Sequence, residues 1–243
     1  FGFADYVLWG ADGLPLAVVE AKRTRRSPSE GQQQAKLYAD ALEQMHGRRP
    51  VIFYTNGYEH WIWDDARGIP PRRLGGFKTA QELGEMIARR SEAKSIAAQE
   101  PNKKIAGGKY TYQTRALKRI AEHFDAGSRK ALLVMATGTG KTRTAIALVD
   151  MMVRAGVVKR ALFLCDRVAL VRQARNAFAA HFPDSAPVNL VTDPTGTGRV
   201  YVSTYPTMMT LIDRADISGR RFGPGHFDLV IIDESHRSIY KRY

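Results

Sequence analysis

The chain has 243 residues and carries 37 lysines and arginines against 24 aspartates and glutamates, so its formal net charge is +13. This length allows one to two domains with hydrophobic cores of their own, and the excess of positive charge favours polyanionic partners such as nucleic acids. Cys165 is the only cysteine, which excludes a disulfide framework or a cysteine-based zinc site. The sequence has no apolar stretch long enough to span a bilayer and no signal peptide, so we expect a cytoplasmic location and no membrane partner.

Two alternating apolar runs flank Asp12-Gly13 near the start of the chain. Asp-Gly between such runs predicts a β-hairpin with a two-residue turn. In that register Asp5 faces Glu20 directly, and Lys22 lies on the same face because side chains alternate between the two faces of a strand. The sequence therefore predicts that two carboxylates and a lysine lie together.

Such a group of side chains suits phosphate chemistry with a metal ion. Neighbouring carboxylates repel each other unless a cation lies between them, and their oxygens suit Mg²⁺ or Mn²⁺. Asp5 and Glu20 are therefore candidate Mg²⁺ ligands, and Lys22 is a candidate to orient an attacking water and to stabilise charge developing on a phosphate. Taken alone, Glu20 and Lys22 would instead be an exposed ion pair on a strand.

The same three residues resemble the Asp, Glu and Lys of the PD-(D/E)xK nucleases, with Ala4 in the place of the proline. A helix predicted over residues 32–45 carries Gln34 and Tyr38, which share one face because they are four positions apart. This pair resembles the QxxxY element of nucleases fused to translocases. The resemblance implies that the two carboxylates and the lysine are catalytic, and that Gln34 and Tyr38 are auxiliary nuclease residues.

The next part of the chain contains a second hairpin and a helix. Strands are predicted over residues 51–54 and 59–63, with Asn56-Gly57 as the turn between them. A helix is predicted around residues 79–93, and a loop over residues 100–109 follows, because that stretch contains proline, asparagine and a Gly-Gly pair.

The strongest motif in the chain is ALLVMATGTGKT, which ends at Thr142. Its apolar run, residues 131–135, predicts a strand, and a helical pattern follows Thr142. The glycine turn between the strand and the helix can therefore bind phosphate through backbone N–H groups. Lys141 would reach the β- and γ-phosphates of a nucleotide, and the Thr142 hydroxyl would bind Mg²⁺. Met135 stands where the strict pattern has glycine. The predicted ATP-binding residues of this turn are Thr137, Gly138, Thr139, Gly140, Lys141 and Thr142.

A second nucleotide motif, HFDLVIIDESHR, covers residues 226–237. Its apolar run predicts a strand buried on both faces, which delivers Asp233 and Glu234 to the carboxyl end of a parallel sheet, where ligands bind. Asp233 would hold the Mg²⁺ of the nucleotide, and Glu234 would be the catalytic residue that orients and deprotonates the attacking water. Alone, Asp-Glu could equally be a helix cap, but the upstream phosphate loop favours a nucleotide site.

These motifs resemble the first motor lobe of the superfamily-two helicases and translocases, with DESH as a variant of the DEAD/DEAH box. The resemblance implies that Gln113 contacts the adenine of ATP. It also implies that two further segments, FLCDRVALVRQ and VSTYPTM, bind DNA through Arg167, Arg172, Gln173, Ser203 and Thr204. Taken singly, each of these residues could be ordinary protein surface.

In the second half of the chain, strands predicted over residues 131–135, 161–165, 199–203 and 227–232 alternate with helical patterns. The expected fold class is α/β: a partial PD-(D/E)xK nuclease domain followed by a RecA-like P-loop domain with a parallel sheet. The expected domains are an N-terminally truncated nuclease remnant over residues 1–76, a helical connector over 77–109, and a C-terminally truncated first RecA-like lobe over 110–243.

A nuclease domain followed by a motor domain resembles the restriction subunit of type I restriction–modification enzymes, and the segments PLAVVEAKR and GGFKTAQEL resemble it too. The resemblance implies an ATP- and Mg²⁺-dependent endonuclease and translocase that acts on double-stranded DNA in a complex with methyltransferase and specificity subunits. Two alternatives stay open. One is a DNA-repair or defence helicase with a vestigial nuclease domain. The other, for these residues alone, is a non-catalytic module that binds ATP and DNA and has weak or no ATPase activity.

Overall fold

The computed structural model describes residues 3–106, 108, 110–213, 215–216, 219–223 and 225–234. The chain divides into two compact units, the first of which ends at Glu92 and also includes Gly223–Gly225. The predicted connector is shared between them, because its helix belongs to the first unit and the residues from Ala93 onward belong to the second. The domain boundaries drawn from the sequence stay a prediction.

The first unit contains a five-stranded sheet in the order β1-β2-β3-β4-β5. Strands β2 and β3 run parallel, and each of the other neighbouring pairs is antiparallel. The elements of this unit in chain order are β1 (Tyr6–Trp9), β2 (Pro15–Ala21), a 3-10 turn (Pro28–Gly31), α1 (Gln32–His46), β3 (Val51–Thr55), β4 (His60–Trp63), a 3-10 turn (Asp65–Arg67), β5 (Arg72–Leu74) and α2 (Ala80–Glu92). The predicted helices and both strands of the second hairpin are therefore confirmed, with small differences at their ends.

Alternation along β2 separates two hydrophobic clusters. Ala17 and Val19 belong to the cluster that contains Leu83 of α2. Val18 belongs to the cluster that contains Ala35 of α1. Because side chains two positions apart point to the same face, Glu20 follows Val18 onto the face that α1 covers.

The first hairpin differs from the prediction at its turn. The ladder keeps the predicted register over its first three pairs and then shifts, so that Trp9 pairs with Pro15. The predicted two-residue turn at Asp12-Gly13 is therefore wrong, and residues 10–14 form a longer loop. Arg48 gives a physical reason, because its guanidinium pairs with the Asp12 carboxylate at 2.6 Å and also donates to the backbone carbonyls of Leu14 and Pro15. This hydrogen bond to Arg48 also lowers the pKa of Asp12.

The second unit contains a four-stranded sheet in the order β11-β6-β8-β7, and every neighbouring pair is parallel. Its elements are α3 (Thr111–Asp125), α4 (Lys141–Arg154), β6 (Ala161–Cys165), α5 (Val168–His181), a 3-10 turn (Pro183–Ser185), β7 (Val188–Asn189), β8 (Val200–Thr204), α6 (Tyr205–Asp213), the paired two-residue strands β9 (Ala215–Asp216) and β10 (Gly219–Arg220), and β11 (Leu229–Ile232). The alternation of strands and helices and the parallel sheet confirm the expected α/β class. The predicted burial of β11 on both faces is wrong, because Val230 and Ile232 are 49% and 41% exposed on one face of that strand, which pairs on one side with β6 among the described residues.

Helices pack on both faces of this sheet. On one face Phe163 of β6 meets Phe178 of α5 edge-on, with ring centroids 5.7 Å apart, and Ile146 of α4 lies in the same cluster. On the other face Leu164 of β6 packs in a cluster with Met208 of α6. The two central strands are therefore buried on both sides, and their carboxyl ends, together with that of β11, meet at one edge of the sheet.

The strand predicted over residues 131–135 is absent, so that prediction is wrong. The segment forms no regular secondary structure and lies outside the ladders of the described residues. The side chains of Leu132 and Val134 are 79% and 83% exposed. An apolar pattern makes a strand only where a neighbouring backbone supplies its hydrogen bonds, and the described chain places none beside this segment.

None of the described helices combines the length and the apolar character that a membrane span requires.

Candidate nuclease and nucleotide-binding sites

Four of the predicted nuclease residues form one hydrogen-bonded chain in the first unit. The Lys22 ammonium donates to Glu20 Oε1 at 2.7 Å and to Gln34 Oε1 at 2.8 Å. The Gln34 amide in turn donates from Nε2 to the Tyr38 hydroxyl at 2.8 Å. The predicted face of α1 is therefore the face that meets the end of β2, and the four side chains are held in a fixed order.

Glu20 has an unusual environment for a carboxylate. The residue is 2% exposed, and while Oε1 contacts Lys22, Oε2 is buried with no hydrogen-bond partner among the described residues. A buried carboxylate oxygen without a partner is costly, so positions of this kind are usually satisfied by an ordered water, a cation or a bound ligand. This orphaned oxygen fits a metal ligand.

Asp5 lies beside this pair. Its Oδ2 accepts a hydrogen bond from the backbone N–H of Ala21 at 2.7 Å, and the pairing of Tyr6 with Val19 sets Asp5 next to Glu20. Among the described residues there is no group of three or more histidine, cysteine or acidic side chains that could hold a metal. A site at Asp5 and Glu20 would therefore have two protein carboxylates, a number that suits Mg²⁺, which keeps several waters and binds substrate phosphates.

The phosphate-loop motif of the second unit forms the predicted turn. Gly138 and Gly140 have φ values of 79° and 86°, in the left-handed region that favours glycine, and α4 begins directly afterwards at Lys141. Thr142, on the first turn of α4, is half-buried. The helix therefore presents its N-terminal backbone N–H groups at the end of this loop, as a phosphate site requires.

Helix α3 contacts the loop through two side chains. The Tyr112 hydroxyl and Gln113 Nε2 both donate to the carbonyl oxygen of Thr139, each at 2.9 Å. Gln113 is 4% exposed, so it is not an ordinary surface residue of the helix, which was the alternative that the sequence left open. The contact of Tyr112 was not predicted, although Tyr112 directly precedes Gln113 in the sequence.

The second nucleotide motif reaches the same loop. The Glu234 carboxylate pairs with the Lys141 ammonium at 2.6 Å, and the Asp233 N–H donates to the carbonyl of Leu164 at 2.9 Å, which extends the β11–β6 pairing. Glu234 has a φ of 50°, which is uncommon for a residue with a side chain and marks a strained turn after the strand. Burial raises the pKa of Asp233, although the backbone N–H of Glu234 acts in the opposite direction.

The predicted DNA-binding residues fall into two groups. Arg167, Arg172 and Gln173 are exposed, at and after the start of α5. Ser203 and Thr204 are buried, and their hydroxyls bond internally, to the Thr204 carbonyl and the Thr207 hydroxyl. The first group is available to a ligand, and the second offers no exposed side chain.

Comparisons with known proteins match two separate stretches of the chain. Residues 3–70 match the family model described as the N terminus of the type I restriction enzyme R protein. Residues 108–243 match the family model described as the res subunit of type III restriction enzymes.

Individual relatives cover the chain from end to end. The endonuclease subunit of the type I restriction enzyme EcoAI from Escherichia coli is 31% identical over 253 residues, which include 96% of this chain and 29% of that protein. The EcoKI endonuclease subunit from Escherichia coli strain K12 is 29% identical over 291 residues, which include 97% of this chain and 24% of that protein. A solved fragment from Vibrio vulnificus YJ016, described as an HsdR subunit of a type I restriction enzyme, is 27% identical, with 96% of this chain and 42% of that chain covered and a TM-score of 0.40.

The chain thus spans less than a third of the length of these two curated relatives. The match over residues 108–243 takes in more than half of the chain and places it in the res-subunit family of restriction enzymes. The N-terminal match and the two relatives narrow this assignment, and the chain belongs to the R subunits of the type I restriction enzymes.

Proposed function

We propose that this chain supplies the nuclease site and the ATP-binding site of a type I restriction subunit, which cleaves double-stranded DNA with Mg²⁺ after translocation driven by ATP. The proposal depends on one observation above all: Glu20, Lys22, Gln34 and Tyr38 form a single chain of hydrogen bonds, and one buried Glu20 oxygen lacks a partner. An exposed ion pair on a strand would leave neither that oxygen buried nor the lysine bonded to a helix.

In the nuclease site, Asp5 and Glu20 would hold one Mg²⁺, which when bound supplies Lewis-acid stabilisation of the phosphate under attack. Glu20 and Gln34 fix the Lys22 ammonium from two directions, so its positive charge is already oriented when negative charge develops on the phosphate. Tyr38 accepts from Gln34 Nε2 and thereby keeps the amide oxygen turned towards Lys22. These roles make Gln34 and Tyr38 positioning residues.

In the nucleotide site, the glycine turn and Lys141 would bind the phosphates of ATP, and Thr142 and Asp233 would hold its Mg²⁺. Burial raises the pKa of Asp233, and a cation beside this carboxyl would favour its ionised form. Glu234 would accept the proton of the attacking water once Lys141 has turned to the phosphates. Gln113 would contact adenine while remaining next to the loop.

The DNA partner is supported by charge and exposure. The net charge of +13 attracts duplex DNA, and Arg167 and Arg172 expose their side chains at the start of α5. Contacts of this type go to phosphates and carry little sequence information. Recognition of a DNA sequence would then belong to a specificity subunit, which we propose as a partner together with a methyltransferase subunit.

Paired assays on the full-length subunit with its partner subunits test the proposal. Glu20→Ala is expected to lower DNA cleavage by at least about 100-fold while ATP hydrolysis stays at the wild-type rate. Lys141→Ala is expected to abolish ATP hydrolysis. The matched control is Glu122→Ala, which removes an exposed carboxylate from α3 and should leave both activities unchanged. Wild-type cleavage by Glu20→Ala would contradict the nuclease assignment and favour a vestigial domain.

A further inference from the structure

Gly31 lies directly before α1 and is buried. Its φ and ψ are −88° and −10°, within the right-handed helical region that any residue can adopt. The backbone conformation therefore does not require glycine at this position, and the reason for glycine must lie in the surrounding space.

That space is filled by two residues of the candidate nuclease site. A Cβ atom added at Gly31 would lie 2.9 Å from Glu20 Cγ and 3.1 Å from Lys22 Cε. Carbon atoms in favourable contact are about 3.5–4.0 Å apart, so Glu20 would have to move by roughly half an ångström or more and Lys22 by roughly a few tenths of an ångström. Their side chains are only 3% and 20% exposed and are bonded to each other, so they cannot simply turn into solvent.

We infer that Gly31 is a positioning residue of the nuclease site. The missing side chain leaves room for the stems of Glu20 and Lys22 and so sets where the carboxylate and the ammonium lie. This inference rests on the proposed nuclease function. A bulkier residue would displace both groups together, and displacements of about 1 Å in a catalytic site can cost about 100-fold in rate.

The test compares Gly31→Ala with Gly84→Ala in the full-length subunit. Gly84 is a suitable control because it lies within α2 and a Cβ there would meet no atom within 4 Å. Gly31→Ala is expected to lower the cleavage rate at least about tenfold and to weaken Mn²⁺ binding, measured by electron paramagnetic resonance, by several-fold. ATP hydrolysis should stay at the wild-type rate, and Gly84→Ala should match the wild type in all three measurements.

A second variant separates displacement of the site from a general loss of folding. In the Glu20→Ala background the closer contact no longer exists and Lys22 has lost its ion-pair partner. Adding Gly31→Ala to that background is therefore expected to lower the thermal unfolding midpoint less than it does in the wild type. If Gly31→Ala alone does not fold, the double variant should fold; failure to do so would overturn the inference.

The outcomes distinguish this inference from the proposed function. Wild-type cleavage and Mn²⁺ binding by Gly31→Ala, with cleavage lost in Glu20→Ala, would overturn the positioning role and leave the nuclease assignment in place. Wild-type cleavage by Glu20→Ala would instead overturn the nuclease assignment and, with it, the role of Gly31.

Discussion

Replacing Glu234 with glutamine is expected to strengthen nucleotide binding. The structure holds the Lys141 ammonium 2.6 Å from the Glu234 carboxylate, and phosphates can reach the lysine only if that contact breaks. At this separation two charges attract each other by several kcal/mol with an effective dielectric constant of about 20. Both side chains are partly exposed, at 30% and 24%, so screening and desolvation reduce the net value to about 1 kcal/mol.

Removing a competing interaction of about 1 kcal/mol corresponds to an affinity for ADP–Mg²⁺ about fivefold higher. Isothermal titration calorimetry of Glu234→Gln with ADP measures this, and ADP avoids any complication from hydrolysis. The control is Glu122→Gln, which removes the same charge from an exposed position on α3. An unchanged or lower affinity in Glu234→Gln would refute the idea that Glu234 holds Lys141 away from the nucleotide.

Three further predictions concern DNA, the cysteine and a loop. Duplex binding should weaken linearly in log affinity with log salt, and Arg172→Ala should reduce the slope by about one in fluorescence anisotropy titrations, whereas an unchanged slope would exclude a phosphate contact. Cys165 is buried, and burial together with the charges of Asp233 and Asp166 raises its pKa to about 12, so its thiol should react with a disulfide reagent only after unfolding; rapid reaction in the native state would contradict its place in β6. Burial acts to raise the pKa of Asp125, but hydrogen bonds from the Ala97 and Ile96 N–H groups and the Ser95 hydroxyl outweigh it and lower the pKa. The stability from Asp125 is therefore present above the carboxyl pKa of the unfolded chain and is lost as pH falls through the lowered folded value. Because the residue is exposed and screened by solvent, Asp125→Ala should cost at most about 1 kcal/mol at neutral pH and little at pH about 2 in urea unfolding, and an equal cost at both would contradict the reasoning.

Local patterns predicted much of the fold. The helix α1, the strands β3, β6, β8 and β11, and the parallel sheet of the second unit follow from periodicity and turn residues, which are properties of short stretches. The placement of Glu20 and Lys22 on one face follows from the two-residue period of a strand. The pair Gln34 and Tyr38 follows from the helical period, and both pairs meet in one hydrogen-bonded chain.

Long-range contacts account for what the sequence did not predict. The hairpin loop depends on Arg48, which is far from Asp12 in the sequence and binds it across the fold. Residues 131–135 have a strand-like pattern, but pairing needs a partner backbone that no local rule supplies. The motifs placed Lys141 and Glu234 at one nucleotide site, but their direct ion pair and the space around Gly31 depend on distant segments brought together, and residue type alone did not predict them.

The nuclease assignment is tested most directly at Lys22, by measuring DNA cleavage and ATP hydrolysis in parallel on the purified full-length subunit with its partners. Lys22→Ala removes the ammonium that links Glu20 to Gln34, while Lys36→Ala removes a lysine of α1 that pairs only with Asp40 among the described residues. We expect Lys22→Ala to lower cleavage by at least about 100-fold with ATP hydrolysis unchanged, and Lys36→Ala to match the wild type in both. Cleavage by Lys22→Ala at the wild-type rate would mean that Glu20 and Lys22 are an ordinary strand ion pair and that the cutting chemistry lies elsewhere.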